Sequence, residues 1–357
     1  MNTPLLKRLC ETPGVPGREE RVRELIRKEA KPLFDEMTED AMGNLICRRA
    51  PRGKEGKPAR GAKATKVMLA SHMDEIGFYV KHIDDKGFVR LNAAGGFDTR
   101  NLFSRRVLVV TKKGGDIRGV MNPGGRPVHI ASEEDKKKIP EVKEFMVDIG
   151  LPADEVKKLV QVGDFVVMDE PAIEVGHKFV SKAVDNRFAC WLALEAVRAI
   201  DKAKSPHACE LISAFTVQEE VGLRGAYTSA RAVQPDIGIG LDVTLACDTP
   251  GVPEDEAVTI QGQGVGLHVM DSSFISDHTL IDELEAVAKK NKIAHQRTIL
   301  ARGGQDGAAL QLANDGACRA IGLTVGIRYI HTVTEMIDKR DLQSAVDLLA
   351  AWIPTVK

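Results

Sequence analysis

Apolar runs along this chain repeatedly end on an imidazole or a carboxylate, and that recurrence restricts the fold more than any other feature. Val67-Met68-Leu69-Ala70-Ser71 leads into His72 and Asp74, and the run 211–217 leads into Glu219 and Glu220. Ile237-Gly238-Ile239-Gly240-Leu241 leads into Asp242, and the apolar stretch 320–330 leads into His331. Asp185 opens a helical stretch, 185–200, with Phe188, Leu192 and Ala196 on one stripe. Further helical patterns at 227–233, 277–291, 307–313 and 341–352 alternate with these runs. Short apolar runs alternating with helices read as strands of a layered α/β sheet. In an open sheet of that kind the carboxyl ends of the strands border the ligand crevice, so these polar residues converge there.

The remainder of the chain has a different texture. Residues 1–40 read as helical, and 66–71 and 77–83 as strands. From 84 to 174 the pattern is mostly β, with strands at 88–92, 106–111, 145–149 and 164–168 and one short helix at 153–160. Gly95-Gly96, Gly114-Gly115 and Gly124-Gly125 supply turns between them. A length of 357 residues suits two domains. The predicted organisation is therefore a catalytic α/β domain, 1–83 plus 175–357, interrupted by a β-rich insertion, 84–174.

Charge and composition exclude several classes. Fifty basic and 51 acidic residues give a net charge of −1, so no global field draws the chain to nucleic acid or an anionic membrane. The segment 48–66 holds eight basic residues against one acid, Glu55, but no aromatics, and reads as a solvated loop or hairpin. No apolar run reaches the length that spans a bilayer, and charge at Lys7 and Arg8 interrupts the start where a secretory signal needs its apolar core. Six cysteines without C-x-x-C spacing read as reduced thiols of a cytoplasmic protein.

No H-E-x-x-H, G-x-S-x-G or Walker A motif is present, and the glycine-rich 262–266 segment reads as a turn. What remains is the strand-end set. Two histidines with several carboxylates suit Zn²⁺ or Co²⁺ better than the all-oxygen shells of Mg²⁺ or Ca²⁺. Adjacent Glu219 and Glu220 can diverge, one toward a metal and one toward its water. Two divalent ions against Asp185, Glu220 and Asp242 approach neutrality with a bridging hydroxide, which leaves Glu219 as a base.

Five ordered segments carry a family resemblance: Ser71-His72-Met73-Asp74-Glu75-Ile76-Gly77, Ala183-Val184-Asp185-Asn186-Arg187, Val217-Gln218-Glu219-Glu220-Val221-Gly222, Leu241-Asp242-Val243-Thr244 and Arg328-Tyr329-Ile330-His331. In this order the chain resembles the tetrahedral aminopeptidases, di-metal peptidases of the glutamyl, leucyl and deblocking type. Some relatives are labelled endoglucanases, although a two-carboxylate glycosidase needs neither the two histidines nor this many acids. The resemblance implies that His72 and Asp242 hold one metal, that Glu220 and His331 hold the other, and that Asp185 bridges both. It implies Glu219 as the general base and Asp74 as the support of His72. It further implies a PDZ-like inserted domain used in assembly, a dodecamer built from dimers, and peptide substrates attacked by a metal-bridging water. The usual Gly-Gly-Thr-Asp-Ala segment is here Gly303-Gly304-Gln305-Asp306-Gly307, a departure beside the substrate. Arg302, Gln305 and Arg328 are the candidates for lining the specificity pocket. The alternatives are a related deacylase or carboxypeptidase acting on small amides, and an inactive metal-stabilised scaffold.

Overall fold

The computed structural model describes residues 1–53, 64–313 and 317–357. Most of the basic segment 48–66 lies outside the described residues. Those of its cations that are described have partners: Arg48 pairs with Glu210 at 2.8 Å, Arg52 with Asp35 at 2.5 Å, and Arg49 with Asp201.

Alternate residues of the central strands are apolar on both faces, which dictates a sheet covered on both sides. In the strand Lys66–His72, Val67 and Leu69 point into one core while Met68 and Ala70 point into another. The strand Glu210–Thr216 divides in the same way, with Leu211 and Phe215 against Ile212 and Ala214. Helices Val184–Ala203, His278–Asn291 and Lys339–Trp352 contribute to the first core. Helices Arg224–Val233 and Asp306–Leu312 contribute to the second. The result, among the described residues, is an eleven-stranded mixed sheet.

At its centre lie Glu210–Thr216, Lys66–His72, Ile237–Leu245 and Arg319–Arg328, side by side and mutually parallel. Their register aligns their ends. Thr216 sits opposite His72, and Gly240 opposite Ala70, which sets Asp242 level with His72.

The insertion closes into a six-stranded antiparallel barrel around Phe78, Val80, Val107, Val109, Phe145 and Val166. Two edges differ from the sequence expectation. The strand Gly77–Ile83 pairs with Val89–Ala94 and Phe165–Met168, so the barrel starts before residue 84. Ile173–Val175 pairs instead with Lys178–Ser181 in the large sheet. A strand's own pattern does not reveal its partner, which is why the boundaries shift. The barrel strand Gly115–Pro123 was hidden by its polar and glycine content, and most of its side chains are exposed or half-buried. Residues Glu36–Glu39, expected as helix, form an edge strand.

The glycine-rich 262–266 segment is a turn locked to a helix. The amides of Gly262 and Gly264 donate to the Asp341 carboxylate at 2.7 and 2.8 Å. Gly264 has φ +94°, and a Cβ there would lie 2.0 Å from the Ala294 carbonyl oxygen. Gly264→Ala is expected to cost at least about 2 kcal/mol, because it adds backbone strain to a direct overlap. Chemical unfolding should show a lower midpoint; an unchanged midpoint would mean that the turn can give way.

Candidate metal centre

His72 is the last residue of its strand, and its ring is fixed from behind. Nδ1 lies 3.1 Å from the Asp74 carbonyl oxygen and 3.5 Å from Asp74 Oδ1. Nε2 points into the crevice, 3.3 Å from Asp185 Oδ1, 3.7 Å from Glu219 Oε2 and 4.0 Å from Asp242 Oδ1. On the other side, His331 Nε2 lies 3.4 Å from Asp185 Oδ2 and 3.6 Å from Glu220 Oε2. Asp185 therefore presents one oxygen to each imidazole. Glu219 and Glu220 diverge, the first toward His72 and Asp242, the second toward Asp185 and His331. Donor atoms of His72, Asp185 and Glu220, and again of His72, Glu219 and Asp242, lie within 4.8 Å of one another.

The loops that carry these side chains are held by buried carboxylates. Asp74 is fully buried, and its two oxygens accept the amides of Glu219 and Glu220, each at 3.1 Å. Asp74 thus supports both His72 and the glutamate pair. Glu335, which the sequence reading passed over, does the same for the other half. Its Oε2 accepts from the Asp185 amide at 3.0 Å and its Oε1 from the His331 amide at 2.7 Å. Asn186 Nδ2 donates to the Leu241 carbonyl oxygen at 2.9 Å, joining the Asp185 turn to the strand of Asp242. Asp306 was also missed as a member of this cluster. It is buried behind the crevice, where Thr216 Oγ1 donates to it at 2.5 Å.

Electrostatically, the group is crowded. Burial, reinforced by neighbouring acids, pushes the carboxyls of Glu219, Glu220 and Asp242 well above the usual range. Burial raises Asp306 to about 6 and Glu335 to about 8. For Asp185, burial opposes ionisation, but the hydrogen bonds of His331 and His72 outweigh it and hold the carboxyl well below its ordinary value. His72 is the converse: burial opposes its charge, and the acids led by Glu219 and Asp185 raise it well above an ordinary histidine. Buried acids at this density stay ionised together only with a cation among them. Glu220 Oε1 is buried without a hydrogen-bond partner, as a donor reserved for a metal would be. The mixed imidazole–carboxylate set fits divalent metal ions.

A cavity of about 460 Å³ opens on this cluster, with Leu245, Leu300 and Arg302 among its walls. Of the three candidates for specificity, only Arg302 lines it. Arg328 is tied to Asp248 by bonds of 2.6 and 2.9 Å. Gln305 is buried beneath the sheet, where added Cβ atoms at Gly240 and Gly322 would come within 2.4 Å of its amide. Gly307 packs against the Phe274 ring, so the departures at 305 and 307 face the interior and not the cavity.

Several known peptidases are similar to this chain in sequence or fold. The M42 glutamyl aminopeptidase family profile matches residues 56–348. A lysyl aminopeptidase of Pyrococcus furiosus is 31% identical over 99% of this chain and 97% of its own length. The aminopeptidase APDkam598 of Desulfurococcus kamchatkensis superposes with a TM-score of 0.90 at 33% identity, covering 99% of this chain and 94% of that one. The TET1 peptidase of Pyrococcus horikoshii, which can assemble into a tetrahedron or a large octahedral shell, gives a TM-score of 0.84 at 30% identity over 98% of both chains.

Proposed function

Because the chain belongs to the M42 glutamyl aminopeptidase family and is a metal-dependent aminopeptidase, we propose that its chemistry is run by Glu219 beside a binuclear centre bridged by Asp185. The observation that carries this reading is the division of Asp185, one oxygen toward His72 and the other toward His331. His72 and Asp242 would hold one ion, and Glu220 and His331 the other. Zinc or cobalt held by this donor set would supply Lewis-acid polarisation of the scissile carbonyl and would acidify a water. Glu219 takes the proton of the attacking water and returns it to the leaving amine, so the side chain acts first as base and then as acid. Asp74 holds the backbone of Glu219 and Glu220 through their amides.

The cavity favours some first residues over others. Leu223, Leu245 and Leu300 make apolar walls, and Arg302 is the one Lys or Arg of the lining among the described residues. Arg302 has no ion pair or hydrogen bond among the described residues, so its charge is free to face substrate. An apolar or acidic N-terminal side chain suits that lining better than lysine does. Six unpaired cysteines support a reducing, cytoplasmic compartment.

For assembly, the reading assigns the barrel as the contact element. Its loops expose Val128, Ile130 and Ile139, at 64%, 68% and 59%. Clustered exposed apolar side chains mark contact surfaces, and the product is read as a tetrahedral dodecamer built from dimers.

Two measurements check these assignments. Glu219→Gln keeps the shape but removes the base, and activity is expected to fall by at least about 100-fold with metal content retained. The substrates are aminoacyl p-nitroanilides of leucine, glutamate and lysine, with an N-acetylated control. Turnover at the wild-type rate in the variant would exclude Glu219 as base, and release of acetate from the acetylated control without release of p-nitroaniline from the free-amine substrates would favour a deacylase. Light scattering on the purified protein should give the mass of a dodecamer; the 38.9 kDa of a single chain would contradict the assembly reading.

A further inference from the structure

Four successive backbone amides at the end of the strand Glu210–Thr216 donate to side chains. Val217 N donates to Asn44 Oδ1 at 3.0 Å, and Gln218 N donates to Glu19 Oε1 at 3.2 Å. Glu219 N and Glu220 N donate to the two oxygens of Asp74, each at 3.1 Å. The three acceptor residues, Asn44, Glu19 and Asp74, come from separate segments of the chain, yet they meet along one turn. Gln218 is left-handed, with φ 56°, so the turn departs from strand geometry and needs external support.

Glu19 and Asn44 are themselves anchored. Glu19 is 3% exposed and also accepts the Gly17 amide at 2.7 Å. Asn44 is fully buried, and its Nδ2 donates to Asp40 Oδ2 at 2.6 Å and Thr228 Oγ1 at 2.9 Å. An added Cβ at Gly225 would lie 2.3 Å from Asn44 Oδ1, so the amide side chain fills its niche closely. Neither residue lines the cavity.

We propose that Glu19 and Asn44 are positioning residues. They fix the two amides that precede Glu219, and so set where its carboxylate stands over the crevice. The inference rests on Glu219 acting as the base, and it extends the control of that base to the N-terminal segment. Their effect is then on turnover, exerted through Glu219, and not on metal affinity or substrate binding.

The test separates reach from charge. Glu19→Asp keeps the charge but withdraws the acceptor, whereas Glu19→Gln drops the charge but keeps an acceptor oxygen at full reach. Glu19→Asp is expected to lower kcat roughly tenfold with KM within about twofold, because small misplacements of a reacting group are costly. Metal content should be unchanged. Glu19→Gln should stay within about threefold of wild type, and Asn44→Ala should lower kcat as Glu19→Asp does. In a Glu219→Gln background, Glu19→Asp should add no further loss, since its route of action is gone. The proposal is overturned if Glu19→Gln is slower than Glu19→Asp, if Glu19→Asp and Asn44→Ala both turn over like wild type, or if the losses of Glu19→Asp and Glu219→Gln simply multiply. Full turnover by Glu219→Gln alone would instead overturn the base assignment on which the inference rests.

Discussion

The structure turns on one carboxylate shared between two imidazoles. Asp185 Oδ1 faces His72 and Oδ2 faces His331, at 3.3 and 3.4 Å, and every other acid of the crevice is arranged about that axis. Glu219, Glu220 and Asp242 could not remain ionised so close together in a buried site without cations between them. The fold supplies the convergence through parallel strands. Their registers bring His72, the end of Glu210–Thr216 and Asp242 to one level, so side chains distant in sequence meet without long loops.

Convergence alone would leave the donors loose, and the chain holds them from behind with buried polar groups. Asp74 ties the glutamate pair, and Glu335 ties Asp185 to His331. Directly after the Asp185 turn, the fully buried Arg187 donates to the carbonyl oxygens of Leu9 and Thr12 at 2.6 and 2.7 Å. Glu75 receives Lys182 at 2.5 Å and the Gly14 amide at 3.2 Å. Buried charges of this kind contribute little net stability, but an unmatched partner is very costly, so they specify one arrangement of the N-terminal segment against the site. That segment carries Glu19, which accepts the Gln218 amide next to Glu219.

Much of this was legible in the sequence because it is local. A strand that ends on His72 or Asp242, or a helix opened by Asp185, can be read from a few neighbouring residues. The ordered set of five segments then points to the family. What was not legible depends on partners remote in sequence. Glu335 is an unremarkable acid four residues after His331, and its function exists only once the turns of Asp185 and His331 are brought together. Asn44 and Glu19 lack any motif for the same reason. Arg328 and Gln305 had the right neighbourhood but the wrong orientation, since one is neutralised by Asp248 and the other lies under the sheet. The barrel strand Gly115–Pro123 was invisible because its exposed polar side chains carry no alternation strong enough to mark it.

The proposed binuclear centre has Asp185 at its midpoint. Crystals grown with zinc or cobalt, measured on both sides of the metal's absorption edge, test it most directly. Two anomalous peaks per chain are expected, each against a different oxygen of Asp185, one beside His72 and Asp242 and the other beside Glu220 and His331. A single peak, or peaks that leave Asp185 uncoordinated, would contradict it.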